Sequence, residues 1–153
     1  MRAADIVETL PTARLDDEAL SAVRMLCENR LPGLVVTDEQ GHVVGCLSSV
    51  DLLRLVLPRY ALGERLLARV FDESHADKIA EFLIHKPVRD LLEEEGHRIP
   101  VARAEATVVE LVEMMTRHGC PLILVEQAGG SLGVITANRL LEKLAAVISE
   151  ASP

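Results

Sequence analysis

Tryptophan is absent from this 153-residue chain, and only three aromatic residues occur, Tyr60, Phe71 and Phe82. All three lie in one stretch, so the rest of the chain has no stacking platform for single-stranded nucleic acid. Cysteine is scarce too. Cys27, Cys46 and Cys120 are odd in number and form no CxxC pair, which excludes a disulfide framework and reads as reduced, mostly buried thiols of a cytoplasmic protein. Long apolar runs are missing: none approaches the roughly 18–20 residues that a membrane helix needs. The start MRAADIVETL carries acids and no apolar core of a signal peptide, so neither membrane insertion nor export is expected. Basic charge is the last deficit. With 16 Lys and Arg against 24 Asp and Glu, the net charge of -8 has the wrong sign for a polyanion, and no nucleic-acid partner is expected. A local basic pocket for one small phosphate remains open.

What is present is an ordinary soluble balance, 49% hydrophobic and 26% charged. A chain of this size buries roughly 70% of its unfolded surface, so it needs no disulfide or metal staple. The strongest signal is internal repetition. At an offset of 89, Leu10 to Leu26 lies on Ile99 to Met115, with Pro11/Pro100, Ala13/Ala102, Arg14/Arg103, Val23/Val112 and Met25/Met114 identical. The match runs on through Pro32/Pro121 and Val36/Val125; one residue is then lost in a turn, and Gly41/Gly129, Gly45/Gly133, Leu52/Leu140 and Leu53/Leu141 agree. Upstream, Ala4 to Val7 faces Arg89 to Leu92. Two copies, 1–57 and 86–147, thus flank an insert, 58–85.

Each copy reads as a lead-in, a strand, a helix, two strands and a second helix. The first long helix is expected after Asp16 and Asp17 in copy one and at Thr107 in copy two, since these side chains accept hydrogen bonds from free helix N–H groups. Leu20, Val23 and Leu26, and Val108, Leu111, Val112 and Met115, recur at helical spacing as a buried stripe. Two β-rich runs then surround Asp38–Gly41, and again Ala128–Gly130, as hairpins with glycine where φ is positive. The last helices carry apolar faces of Leu52, Leu53 and Val56, and of Leu140, Leu141 and Leu144. The insert shows a stripe of Leu62, Leu66, Val70 and Phe71 and a second one of Ile79, Phe82 and Leu83; it either caps the module's own core or offers a dimer or partner surface.

The order βαββα, given twice, with Ser48-x-x-Asp51 at the last strand-to-helix junction, resembles the CBS domain, and the duplication resembles a CBS pair, or Bateman module. The chain departs from the family where Val35 and Leu124 stand in place of a usual proline. The resemblance implies an α+β fold of two repeats packed with pseudo-two-fold symmetry, with the helical insert between them. It also implies that clefts between the repeats hold adenine nucleotides, the junction Asp taking the ribose and the hydroxyl residue lying near ribose or phosphate.

Ser48 and Asp51 fit that pattern, and the chemistry agrees: a vicinal diol offers two O–H donors to a carboxylate that only accepts. Capping of the last helix is the competing role for Asp51. Copy two keeps the hydroxyl in Thr136 but has Arg139 at the acidic position, and a guanidinium cannot accept from a diol. Arg139 therefore reaches a ligand phosphate, pairs with an acid in its own cleft, or is simply solvated. The resemblance makes Leu10, Pro11 and Thr12, with Ile99, Pro100 and Val101 in copy two, adenine contacts, against a plain role as core residues where the first strand starts. Arg14, Arg103 and Arg30 are further phosphate candidates.

Other chemistry is thin. His118-x-Cys120 and His42-x₃-Cys46 lack the paired four-ligand spacing of a closed zinc site. No nucleophile elbow, HExxH, P-loop or GxGxxG occurs, so no catalysis, metal or required cofactor is expected. The resulting expectation is a non-enzymatic, homodimeric sensor of AMP, ADP, ATP or another adenosyl ligand that regulates a separate partner protein. The competing expectation is a structural module that binds no ligand and scaffolds a transporter or enzyme.

Overall fold

The computed structural model describes residues 1–54, 77, 81, 85–95 and 97–152. The insert expected over 58–85, with every aromatic ring, lies outside the described residues but for three isolated positions. The fold is α+β, with two three-stranded sheets. In the first sheet β1 (Ala13–Arg14) runs parallel to β2 (Gly33–Thr37), which is antiparallel to β3 (Val43–Ser48). In the second, β4 (Val101–Arg103), β5 (Leu122–Glu126) and β6 (Leu132–Thr136) repeat that order and sense. Among the described residues the helices with defined bounds are α1 (Ala3–Ile6), α2 (Ala19–Glu28), α3 (Ser49–Arg54), α4 (Val88–Glu95), α5 (Val108–His118) and α6 (Ala137–Ala151).

Local chemistry explains most boundaries. β2 and β5 each bury four successive residues, as a central strand with a continuous apolar run should. The hairpin after β2 is closed by Asp38, whose Oδ1 accepts from the N–H groups of Gln40 and His42 at 3.0 and 2.8 Å, while Gly41 takes φ +83°. Thr107 caps α5 as expected: its hydroxyl accepts from Glu110 N–H and the Glu110 carboxylate reaches back to Thr107 N–H. The acids ahead of α2 do otherwise. α2 starts behind Glu18 with no side-chain cap; Asp17 accepts from Arg14 N–H at 2.8 Å, closing the turn after β1, and Asp16 pairs with Arg89 at 2.9 Å.

The buried stripes are narrower than the spacing implies. α2 buries Ala19, Ala22 and Leu26, whereas Leu20 and Val23 are half-buried. On α5, Leu111 is buried with Val108, Met114 and Met115 partly so, and Val112 is turned outward beside Val109. Leu53 and Leu141 are likewise exposed, at 65% and 62%, because α3 and α6 are held by the side of Leu52 and Leu140.

The chain divides into two compact units, Met1–Pro11 with Arg98–Pro153, and Thr12–His97. Each is completed by the lead-in of the other copy. In the first unit, Ala3 and Ala4 donate their N–H groups to the carbonyls of Ala106 and Ala104 at 2.9 and 3.0 Å, and Glu8 exchanges two bonds with Val134. In the second, Val88 and Arg89 donate to Asp17 and Leu15 at 2.8 and 3.0 Å, and His97 exchanges two bonds with Cys46. A glycine admits each lead-in: a Cβ on Gly45 would stand 2.9 Å from the His97 carbonyl oxygen, and one on Gly133 would stand 2.9 Å from Val7 Cβ.

The core of the first unit gathers Ala3, Ile6, Ala102, Leu111, Ile123, Val125, Ile135 and Leu140. Buried apolar residues of the second include Ala13, Leu26, Leu34, Val36, Leu47, Val88 and Leu91.

Candidate functional site

The end of β3 delivers Ser48 and Asp51 to the start of α3. Ser49 fixes that start, donating its N–H to the Pro32 carbonyl at 3.0 Å and its hydroxyl to the same oxygen at 3.2 Å. Ser48 is the N-cap: its Oγ accepts from Asp51 N–H at 3.2 Å, and Asp51 Oδ2 accepts from Ser48 N–H at 2.8 Å. This is a capping box with aspartate at the third helical position. Capping is thus a real occupation of Asp51, with the roles of the two residues the reverse of a simple Asp cap.

The other carboxylate oxygen faces the lead-in. Asp51 Oδ1 lies 2.8 Å from His97 Nε2 and 3.6 Å from Arg54 NH1. The Asp51 side chain is only 2% exposed; that of His97 is 52% exposed. Burial raises the Asp51 carboxyl, but the His97 hydrogen bond, the bonds from Ser48 and the imidazole charge together hold it below the usual carboxylate range. Asp51 is therefore ionised at neutral pH and can only accept, so Nε2 carries the proton and donates.

The second junction shares the backbone and not the chemistry. Ala137 N–H bonds the Pro121 carbonyl at 2.9 Å, and Thr136, also buried, accepts from Arg139 N–H at 3.1 Å. Arg139 cannot return the bond. Instead its Nε donates to the Ile6 carbonyl at 3.4 Å and its NH1 stands 3.7 Å from Glu142, with the side chain 30% exposed. Both junction residues thus hold a lead-in. Where the lead-in presents a donor, His97, the junction is acidic; where it presents a carbonyl, Ile6, the junction is basic.

The remaining candidates are placed as follows. Arg30 is exposed at the end of α2 with φ +50°, just ahead of Leu31, whose carbonyl accepts from Ser49 Oγ at 3.4 Å. Thr12 is exposed and belongs with Ser48, Asp51 and Arg30 to the second unit. Leu10, half-buried, and Pro11, exposed, belong with Thr136 and Arg139 to the first, so none of Leu10, Pro11 and Thr12 is a core residue. His97 was missed by sequence reasoning. The signal was there: at the same offset of 89 His97 falls on Glu8, so the copies differ at the lead-in bridge, 97/8, as well as at the junction, 51/139.

Among the described residues no helix is long and apolar enough to cross a membrane, and no three His, Cys, Asp or Glu side chains gather as a metal site. The sequence matches the CBS domain over residues 3–58 and 88–146. It is 38% identical to a CBS domain-containing protein of unknown function from Kribbella flavida, whose structure superposes with a TM-score of 0.75 over 95% of this chain and 99% of that one. The structure of CBSX2 in complex with AMP superposes at 0.65 with 19% identity, covering 95% and 97% of the two chains. An uncharacterized protein of Methanocaldococcus jannaschii is 23% identical over 84% of this chain and 82% of its own.

Proposed function

Because the chain belongs to the CBS domain family, we propose that it is a regulatory module, not an enzyme, which binds an adenine nucleotide or related adenosyl ligand at the Ser48–Asp51 junction. In this reading it is one Bateman module of repeats 1–57 and 86–147, a cytoplasmic homodimer, and it passes ligand occupancy to a separate partner protein. The observation that carries the reading is the junction itself: an ionised carboxylate, nearly closed to solvent, set beside a hydroxyl at a helix start. That pair suits a ribose diol, which needs acceptors. The AMP held by CBSX2 supports the ligand class. Thr136 and Arg139 offer no such acceptor, so one nucleotide per chain is proposed, with Thr12 and the exposed Arg30 on the same unit as Asp51. Regulation follows from linkage: a ligand moves an equilibrium only between states that it binds with different affinity.

A ligand of the native state raises its melting temperature. Thermal shift with AMP, ADP, ATP, NAD and S-adenosylmethionine should give a rise for at least one, and Asp51→Ala should weaken that ligand by roughly tenfold to a hundredfold. A rise untouched by Asp51→Ala places the site elsewhere. A structural module is the second reading, favoured by the two protein partners that already occupy the Asp51 oxygens; silence across the panel on folded protein supports it.

A further inference from the structure

We propose that His97 is a positioning residue that controls access to Asp51, an internal competitor that a ligand hydroxyl must displace from Oδ1. This rests on the proposed nucleotide site and names its regulation. Three observations carry it. First, the two oxygens of Asp51 are bound differently: Oδ2 is tied three residues away in a capping box that the helix needs, whereas the hydrogen bond to Oδ1 comes from a side chain 46 residues away, with Arg54 farther off at 3.6 Å. Second, the His97 ring is half exposed and makes one bond to a buried carboxylate, while its backbone is fixed independently by two bonds to Cys46. The ring can therefore leave Oδ1 without unseating the lead-in. Third, the other copy, which lacks the acidic residue, also lacks the imidazole: Glu8 stands at the equivalent bridge, and the two positions differ together. A ligand that needs the open state binds more weakly by the fraction of molecules in which Asp51 is closed.

Calorimetric titration of AMP, ADP, ATP, NAD and S-adenosylmethionine into wild type, His97→Ala, His97→Gln and Asp51→Ala tests this. Removing the competitor should tighten the bound nucleotide by roughly three- to tenfold, the worth of one net hydrogen bond. His97→Gln, which keeps an N–H donor, should stay near wild type, and His97→Ala should add nothing in an Asp51→Ala background. Binding that depends on Asp51 but is unchanged or weakened in His97→Ala overturns the role of His97 and leaves the site standing. Silence of both wild type and His97→Ala across the panel overturns the site as well. A measurement free of mutation stands beside these: the His97 Nε2 resonance in ¹⁵N NMR of the wild type should leave its carboxylate-bonded position at nucleotide saturation, and an unmoved resonance overturns the displacement.

Discussion

The junction at Ser48–Asp51 and the junction at Thr136–Arg139 have one backbone plan and opposite chemistry. Both begin a helix on a hydroxyl cap, and both lay the start of that helix against a proline carbonyl. They differ in the third helical residue and in what it grips, an imidazole donor in one unit and a carbonyl acceptor in the other. A duplicated element has thus kept its structural duty, holding the lead-in, while only one copy kept an acceptor that a sugar diol can use. Charge reversal at one position is tolerable because Asp51 faces the donor of His97, whereas Arg139 faces a main-chain carbonyl, that of Ile6.

The sharpest way to break this comparison is to write one unit's pair into the other. Asp51→Arg puts a guanidinium at a position 2% exposed, beside His97 and Arg54, and should cost about 3–5 kcal/mol in chemical denaturation. Adding His97→Glu should recover at least about 1 kcal/mol, because the facing group then accepts. Arg139→Asp should change stability by no more than about 1 kcal/mol, since aspartate there can complete the capping box with Thr136. Equal losses from Asp51→Arg and Arg139→Asp would show that the two junctions are not chemically distinct.

Acid should dissolve the difference. The Asp51 carboxyl is depressed, so its contribution is complete above the unfolded-state value of about 4 and is lost as pH falls through the lower folded value. Wild type should therefore be more stable than Asp51→Asn near pH 6, and the gap should close as the pH is lowered below about 4. A gap that stays constant in urea titrations through that range would show that ionisation of Asp51 contributes nothing.

The smallest contrast lies at the first long helices. Thr107→Ala removes a complete capping box and should cost about 1 kcal/mol, whereas Glu18→Ala, at a cap with no side-chain bond, should stay within about 0.5 kcal/mol.

Much of this was legible beforehand. Internal self-similarity gave the two copies, the hairpin glycines and the βαββα order, because these follow from local pattern and turn chemistry. Thr107 announced itself as a cap ahead of an apolar stripe, and the structure adds the return bond from Glu110. What failed was decided by tertiary neighbours. Asp16 and Asp17 looked like caps until the β1 turn and Arg89 claimed them. Val112, Leu53 and Leu141 have core-like spacing, yet the face a helix buries depends on which residues the sheet meets. His97 escaped notice because nothing within a few residues of it signals that its ring ends on a carboxylate supplied by a distant helix.

The exchanged lead-ins bear on synthesis. Residues 12–54 leave the ribosome long before Val88 to His97, so the first sheet waits with Gly45 and Cys46 uncovered until the ninety-seventh residue arrives. The opening residues, made first of all, have the longest wait, since Ala3 and Glu8 find their carbonyls only after Ala106 and Val134 have been added. The unit Thr12–His97 can close once its own last residue is made, whereas the other must join the first eleven residues to the last, and a gene cut at the repeat boundary yields two fragments that each carry the piece the other needs.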